Sequence, residues 1–402
     1  MSDATTFDVV VVGGGVIGSA VAYHAAKRGL SVGLFDKGPL AGGSSGAALG
    51  FRTLSNFFPL EVALKNEQRF IQFAEETGED IELDTGGRIN VAESEDDLGY
   101  LQESVAGLQA KGVDIRMLDR AEMREREPNL SPAVIGAAWT SIGGNAMPIK
   151  LTYGLARAAR RVGARIFTDT PVTGIDVAGD RVRGIEAGGR KFASGWVVNA
   201  AGAWSSEIGK LAGIDVPVVP RKGQLLLLDS PRRIVRHSLS SWHKPGPQPS
   251  GGTNIRPTPY GQILCGSSSE YVGFDVAATE ENARDVARRC AEFVPALRGL
   301  RITRSWAGLR PRSVDGNFII GRAAALDNFL IATGHDFTGI THSLITGDLI
   351  AELMAEGRTS VSIESFSPRR FAGDSGSKVM TPGESDIGAA ECFGGLQRRR
   401  DQ

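Results

Sequence analysis

Three glycines and one aspartate stand at the spacing that dinucleotide chemistry needs. In DVVVVGGGVIGSAVAYHAAKRGLSVGLFDKG, residues 8–38, Gly13, Gly15 and Gly18 satisfy GxGxxG, and Asp36 follows eighteen residues after the last of them. Gly13 allows a tight turn. Gly15 lets backbone N–H groups approach a pyrophosphate at the start of the helix that opens with Val16 and Ile17, and Gly18 lets that helix pack on its strand. Asp36, followed by Lys37, would accept hydrogen bonds from the adenosine ribose, and an acid there disfavours a 2′-phosphate. A second group of interest is distant in sequence: Arg310, within SWAGLRPRSVDG at 305–316. A planar five-donor guanidinium matches a carboxylate, whereas Asp315 or Asp336 could satisfy it internally.

The elements needed to position these groups are visible around them. Val9 to Val12 form a β-branched run of the kind expected for a strand buried on both faces. An alanine-rich helix to about Arg28 and a second strand, Ser31 to Phe35, complete a βαβ opening. After Asp36 the chain enters a small-residue loop, Gly42 to Gly50, carrying Ser44, Ser45 and Gly46. That loop reads either as a surface linker or as a segment lying against a large flat cofactor. Further on, 148–163 reads as an amphipathic helix, and a buried strand from Trp196 to Asn199 runs into Ala200, Gly202 and Trp204. Near the C-terminus a strand, Phe329 to Thr333, leads through Gly334, His335, Gly339, Ile340 and Thr341 into a long helix ending near Glu356.

The 402 residues, 41% hydrophobic and 23% charged, suit a globular chain of two domains. A net charge of -1 without a basic stripe argues against nucleic acid or an anionic membrane as the main ligand. Cys265, Cys290 and Cys392 are scattered, which disfavours a disulfide framework or a metal site and points to the cytoplasm. The uncharged stretch 9–23 lacks a basic flank and is short and glycine-rich, so neither a signal peptide nor stable membrane insertion is expected.

Taken in chain order, GGGVIGSA, Ser44-Ser45-Gly46, VVNAAGAW, PRKGQ, IRPTPYGQILCGSS, AGLRP with DGNFIIG, and GHDFTGIT resemble the glycine/D-amino-acid oxidase (DAO) family of FAD oxidoreductases over residues 7–371. The family includes sarcosine oxidases and the flavin subunits of opine and proline-type dehydrogenases. The resemblance implies an α/β architecture: a Rossmann-like FAD-binding domain made of 1–84, 145–220 and 306–371, and a substrate domain on a large, mostly antiparallel sheet made of 85–144 and 221–305. Residues 372–402 read as a flexible tail.

The resemblance also implies roles. Gly13, Gly15 and Gly18 would hold the pyrophosphate and Asp36 the ribose. Ser44 and Ser45 would meet phosphate or flavin, Val172 the adenine with Ala200 and Gly202 in the same cleft, and Gly334 to Thr341 the pyrimidine end of the flavin. Arg310 would bind the α-carboxylate of an amino acid. Three departures stand out: Asn254 replaces a tyrosine that helps hold that carboxylate in glycine oxidase, Phe337 replaces an arginine, and the cysteine that tethers FAD in monomeric sarcosine oxidase is missing near Arg310. Non-covalent FAD is therefore expected. The implied reaction is hydride transfer from the α-carbon of a neutral amine, giving an imine that hydrolyses to a 2-oxo acid and an amine. His243 in a Pro/Gly-rich loop could assist deprotonation or simply be solvated, and His335 reads as a flavin-edge residue or a catalyst. Electrons would pass to O2 or to a partner, within a homo- or hetero-oligomer. Two rival readings are a flavin subunit of a heteromeric dehydrogenase and a 2-hydroxy-acid dehydrogenase acting on C–OH.

Overall fold

The computed structural model describes residues 6–55, 57–241 and 252–372. Its chain order begins β1 (Thr6–Val12), α1 (Val16–Lys27), β2 (Val32–Phe35), β3 (Phe51–Arg52), α2 (Leu60–Thr77), β4 (Arg88–Ala92), α3 (Glu95–Gln109), β5 (Ile115–Leu118), α4 (Arg120–Arg126), β6 (Gly136–Thr140) and β7 (Gly144–Asn145). It continues with α5 (Pro148–Arg161), β8 (Arg165–Phe167), β9 (Val172–Ala178), β10 (Arg181–Ala187), β11 (Arg190–Asn199), α6 (Ser205–Leu211), β12 (Val218–Asp229), β13 (Ser238–Ser241), β14 (Asn254–Pro257) and β15 (Ile263–Gly266). The last elements are α7 (Glu280–Phe293), β16 (Arg301–Ser313), β17 (Ile319–Arg322), β18 (Phe329–Thr333) and α8 (Gly339–Ala355).

Two large sheets result. In the first, the order β17-β18-β11-β1-β2-β8 puts β1 at the centre, parallel to both β11 and β2. Its run Val9 to Val12 is buried, as a central parallel strand requires. Helices α1, α5 and α8 cover one face, where Ala20, Leu151, Leu155, Leu344 and Leu349 belong to one apolar core. The alanine-rich composition of α1 lets these helices approach closely. Both α1 and α8 begin beyond the carboxyl ends of the strands that precede them, which is where α/β sheets bind ligands.

The second sheet has the order β16-β12-β15-β14-β13-β4-β6-β5 and is antiparallel except at β13·β4. Its core gathers Ile89, Val91, Leu226, Leu239, Ile255 and Ile263 against Val286, Cys290 and Phe293 of α7. This is the α/β arrangement with a large, mostly antiparallel second sheet that the sequence implies. The expected boundaries at 220/221 and 305/306, however, fall inside strands. β12 and β16 pair from Val218↔Ser313 to Asp229↔Arg301, with one register shift between Leu227 and Leu228, and this long pairing keeps Arg310 opposite Arg221 and carries both toward the first sheet. There a backbone bridge joins Arg312 to His335, and Asp336 binds Arg221 and Arg312. Among the described residues no helix is long and apolar enough to cross a membrane.

Candidate active site

The turn after β1 is built from glycine for a reason the geometry makes plain. Gly13 holds φ at +112° and donates its N–H to the Phe35 carbonyl. Asp36 fastens the same turn: Gly14 N–H donates to its Oδ2 at 2.5 Å and Gly38 N–H to its Oδ1 at 2.8 Å. The small-residue loop is no surface linker. It folds into a short 3-10 turn, Ser44–Ala47, over the start of α1, with Ser45 Oγ accepting the Val16 N–H at 2.9 Å and the Ser44 hydroxyl donating to the Leu309 carbonyl on β16.

A cavity of about 830 Å³ connects these parts. Gly13, Gly15, Val16, Ile17, Asp36, Lys37, Ser44 and Ser45 line it, with Val172, Ala200, Gly202 and Trp204 from the neighbouring strand ends. Asn254 and Arg310 line it from the second sheet, His335 from the turn after β18, and Gly339, Ile340 and Thr341 from the start of α8. Lys37 Nζ sits 3.8 Å from the Trp204 ring centroid, and Phe274 stacks on that ring. Gly18, Gly46 and Gly334 were grouped with the binding residues, but they do not line the cavity. Each makes room for backbone instead: a Cβ at Gly18 would lie 1.9 Å from the Gly13 carbonyl oxygen, and one at Gly46 2.3 Å from that of Ala41. His243 lies outside the described residues.

Among the described residues Arg310 is held without a carboxylate. Its Nη1 donates to the Ser268 carbonyl at 3.1 Å and its Nη2 to the Ser267 hydroxyl at 2.8 Å. The acids considered for it are engaged elsewhere, Asp315 with Arg370 and Asp336 with Arg221 and Arg312. Burial, then the neighbouring Arg221, push the guanidinium pKa down to about 10, against the opposing pull of Asp336 and Tyr271. It remains a cation at neutral pH, with its exposed edge facing the cavity. Arg256 is neither a surface charge nor a cavity residue: it is buried beneath the small-residue loop, where its Nη1 donates to the Leu49 carbonyl at 2.6 Å.

A family model for FAD-dependent oxidoreductases, DAO, matches residues 8–353. The chain belongs to the DAO family. It is 31% identical to the hydrogen cyanide synthase subunit HcnC of Pseudomonas protegens, over 91% of this chain and 96% of that protein. The crystal structure of glycine oxidase from Geobacillus kaustophilus superposes with a TM-score of 0.84 at 29% identity, covering 91% of this chain and 99% of the other. That of L-proline dehydrogenase from P. horikoshii gives 0.83 at 26%, covering 91% and 98%.

The protein is thus an FAD-dependent oxidoreductase, and the residues present fit FAD. A Cβ at Gly15 would meet only the Ser45 Oγ, at 3.2 Å, so the cavity reaches the backbone at the start of α1. Neither α1 nor α8 is capped by the side chain of its own N-cap residue, and neither has an acid in its first turn, which suits negative charge at either start. Arg221 and Phe337 also line the cavity, the guanidinium 5.9 Å from the ring centroid. Arg221 was passed over within PRKGQ; its alternation with Gly223 on one strand face was the available signal.

His335 stacks on Phe318, and its Nε2 lies 3.0 Å from Thr346 Oγ1. Burial, assisted by His342, lowers its pKa to about 3, which makes it a poor base near neutrality. His342 is lowered to about 4, mainly by burial, and so is His24. All three are neutral when folded at pH 7, while the unfolded chain takes up protons below about 6.5. Their stabilisation is therefore present above pH 6.5 and lost as pH falls toward 4. Urea unfolding between pH 6.5 and 5 should show a slope approaching about 1.4 kcal/mol per pH unit for each histidine. His342→Gln should flatten it by about one histidine's share, and an unchanged slope would contradict the assignment.

Proposed function

We propose that this protein oxidises the C–N bond of an amino acid, the α-carboxylate being held by Arg310. The observation that supports this most strongly is a cavity-facing guanidinium satisfied, among the described residues, only by a serine hydroxyl and a carbonyl. FAD, bound non-covalently along Gly13–Ile17, Asp36 and Ser44–Ser45, supplies the two-electron acceptor. The chain's own residues do the rest. Arg310 fixes the substrate by its planar fork, which orients the α-carbon. Arg221 and Arg310 together disfavour a positively charged ammonium, so the amine binds in its neutral form. His335 stays unprotonated and shapes the wall by stacking on Phe318. The product imine is hydrolysed to a 2-oxo acid and an amine. The relatives named glycine oxidase and L-proline dehydrogenase support amine rather than C–OH chemistry.

The relative named a synthase subunit favours a second reading, in which a partner in the cytoplasm rather than O2 takes the electrons. Anaerobic mixing of the purified flavoprotein with D-amino acids, N-methylglycine, cyclic secondary amino acids and opines should bleach the visible flavin bands with one amine class. Rapid recolouring in air identifies an oxidase; slow recolouring with little peroxide identifies a dehydrogenase with a partner. Bleaching by 2-hydroxy acids but by no amine would refute the proposal.

A further inference from the structure

The cavity wall formed by β4, β13 and β14 carries polar groups that the amine reading leaves unused. Arg88 and Asn90 are two residues apart on β4, hence on one face of it, and both line the cavity. Asn90 is 1% exposed, yet neither its amide nitrogen nor its amide oxygen has a hydrogen-bond partner among the described residues. Burying such an amide is costly unless something in the cavity binds it. Beside it, Arg88 Nη2 donates to the Ser240 hydroxyl, which donates to Asn254 Oδ1 at 2.7 Å, while Asn254 Nδ2 donates to the Gly252 carbonyl at 3.0 Å. That chain of bonds holds the Arg88 guanidinium at the cavity wall. Glu67, which Arg88 influences electrostatically, is paired with Arg52 at 2.6 Å. Among the described residues on the substrate side of the cavity, Arg88, Arg221 and Arg310 are cationic and Asp336 is the acid.

We propose that the substrate carries two carboxylates, one held by Arg310 and the second by Arg88 with Asn90. This rests on the amine reading for the first carboxylate. Asn90, Ser240, Asn254 and Gly266 are register partners in a row across β4, β13, β14 and β15. Arg310 reaches Ser267, just past β15, and Arg88 reaches Ser240 on β13, so the two cations are about two strand spacings apart, roughly 10 Å. That separation fits two carboxylates a few bonds from each other, each in a charge-assisted contact. An amine flanked by two carboxylates and an amino acid with an acidic side chain share this chemistry.

The test titrates the flavin absorbance of the holoenzyme with diglycolate, which has two carboxylates and no amine, and with methoxyacetate, which has one. Diglycolate should bind about a hundredfold more tightly. Asn90→Ala should cut that preference about tenfold, without harm to the fold because the Asn90 amide has no hydrogen-bond partner among the described residues, and the isosteric but anionic Asn90→Asp should abolish it. Equal binding of the two probes, or a preference unchanged in both variants, overturns the second subsite. Anaerobic bleaching by N-(carboxymethyl)glycine against aspartate and glutamate then assigns the source of the second carboxylate. If N-methylglycine bleaches the flavin while the diglycolate preference is missing, this inference falls and the amine reading stands. A diglycolate preference with no bleaching by any amine has the reverse meaning.

Discussion

Arg310→Met is expected to lower kcat/KM for the amino-acid substrate roughly a thousandfold while FAD stays bound. The argument is electrostatic. A buried cation already pushed down to about 10 by burial and by Arg221 lacks a carboxylate partner among the described residues, so a substrate carboxylate would supply the missing counter-charge. Removing the guanidinium leaves that carboxylate facing Met and the Ser268 carbonyl, an uncompensated charge in a desolvated pocket. Most of the penalty should appear in KM, with a smaller fall in kcat from lost orientation. Gly223→Ala offers an independent check, since a Cβ there would lie 2.0 Å from Arg310 Nη2 and must displace the fork. Both variants should keep the visible flavin spectrum. If Arg310→Met retains parental kcat/KM with a carboxylate-bearing amine, the anchor lies elsewhere.

What could be read from the sequence depended on how local the signal was. The turn with Gly13, Gly15 and Gly18 and the acid at Asp36 are legible because one βαβ unit contains all the geometry. The end of the buried strand at Val12 and the end of the helix that follows agree to about a residue for the same reason, while the strand itself begins three residues earlier, at Thr6. Arg310 could be singled out by residue type, but whether Asp315 or Asp336 neutralised it depended on Arg370, Arg221 and Arg312, contributed from three separate segments. Arg88 and Asn90 escaped notice because the stretch RINVA looks like any strand. Their place in the cavity comes from the parallel pairing of β4 with β13, about 150 residues later. Arg256 could not be placed from its neighbours, because an arginine before proline suits a strand end at the surface as well as a strand inside the sheet, where β14 lies between β13 and β15.

Gly18→Ala should strip FAD from the protein, although Gly18 touches nothing in the cavity. Its added Cβ would fall 1.9 Å from the Gly13 carbonyl oxygen and 3.4 Å from the Ala200 Cβ. The obstacle is backbone on one side and a packed strand terminus on the other, so neither a rotamer change nor a small side-chain shift relieves it. Either α1 moves off the sheet, weakening its packing against α5 and α8, or the Gly13 turn shifts and breaks its register with Phe35 and Asp36. Overpacking of this kind costs on the order of 1–3 kcal/mol in stability. Affinity for FAD should fall at least as much, about a hundredfold for a loss near 2.7 kcal/mol, if, as proposed, the same turn aims the start of α1 at the pyrophosphate. Desalted variant should show a reduced ratio of flavin to protein absorbance, and added FAD should restore the ratio only at raised concentration. Ser19→Ala, at the next position of the same helix, should leave the ratio at the parental value, because the Ser19 hydroxyl has no hydrogen-bond partner among the described residues. Parental flavin content in Gly18→Ala would show that the α1 turn does not hold the pyrophosphate.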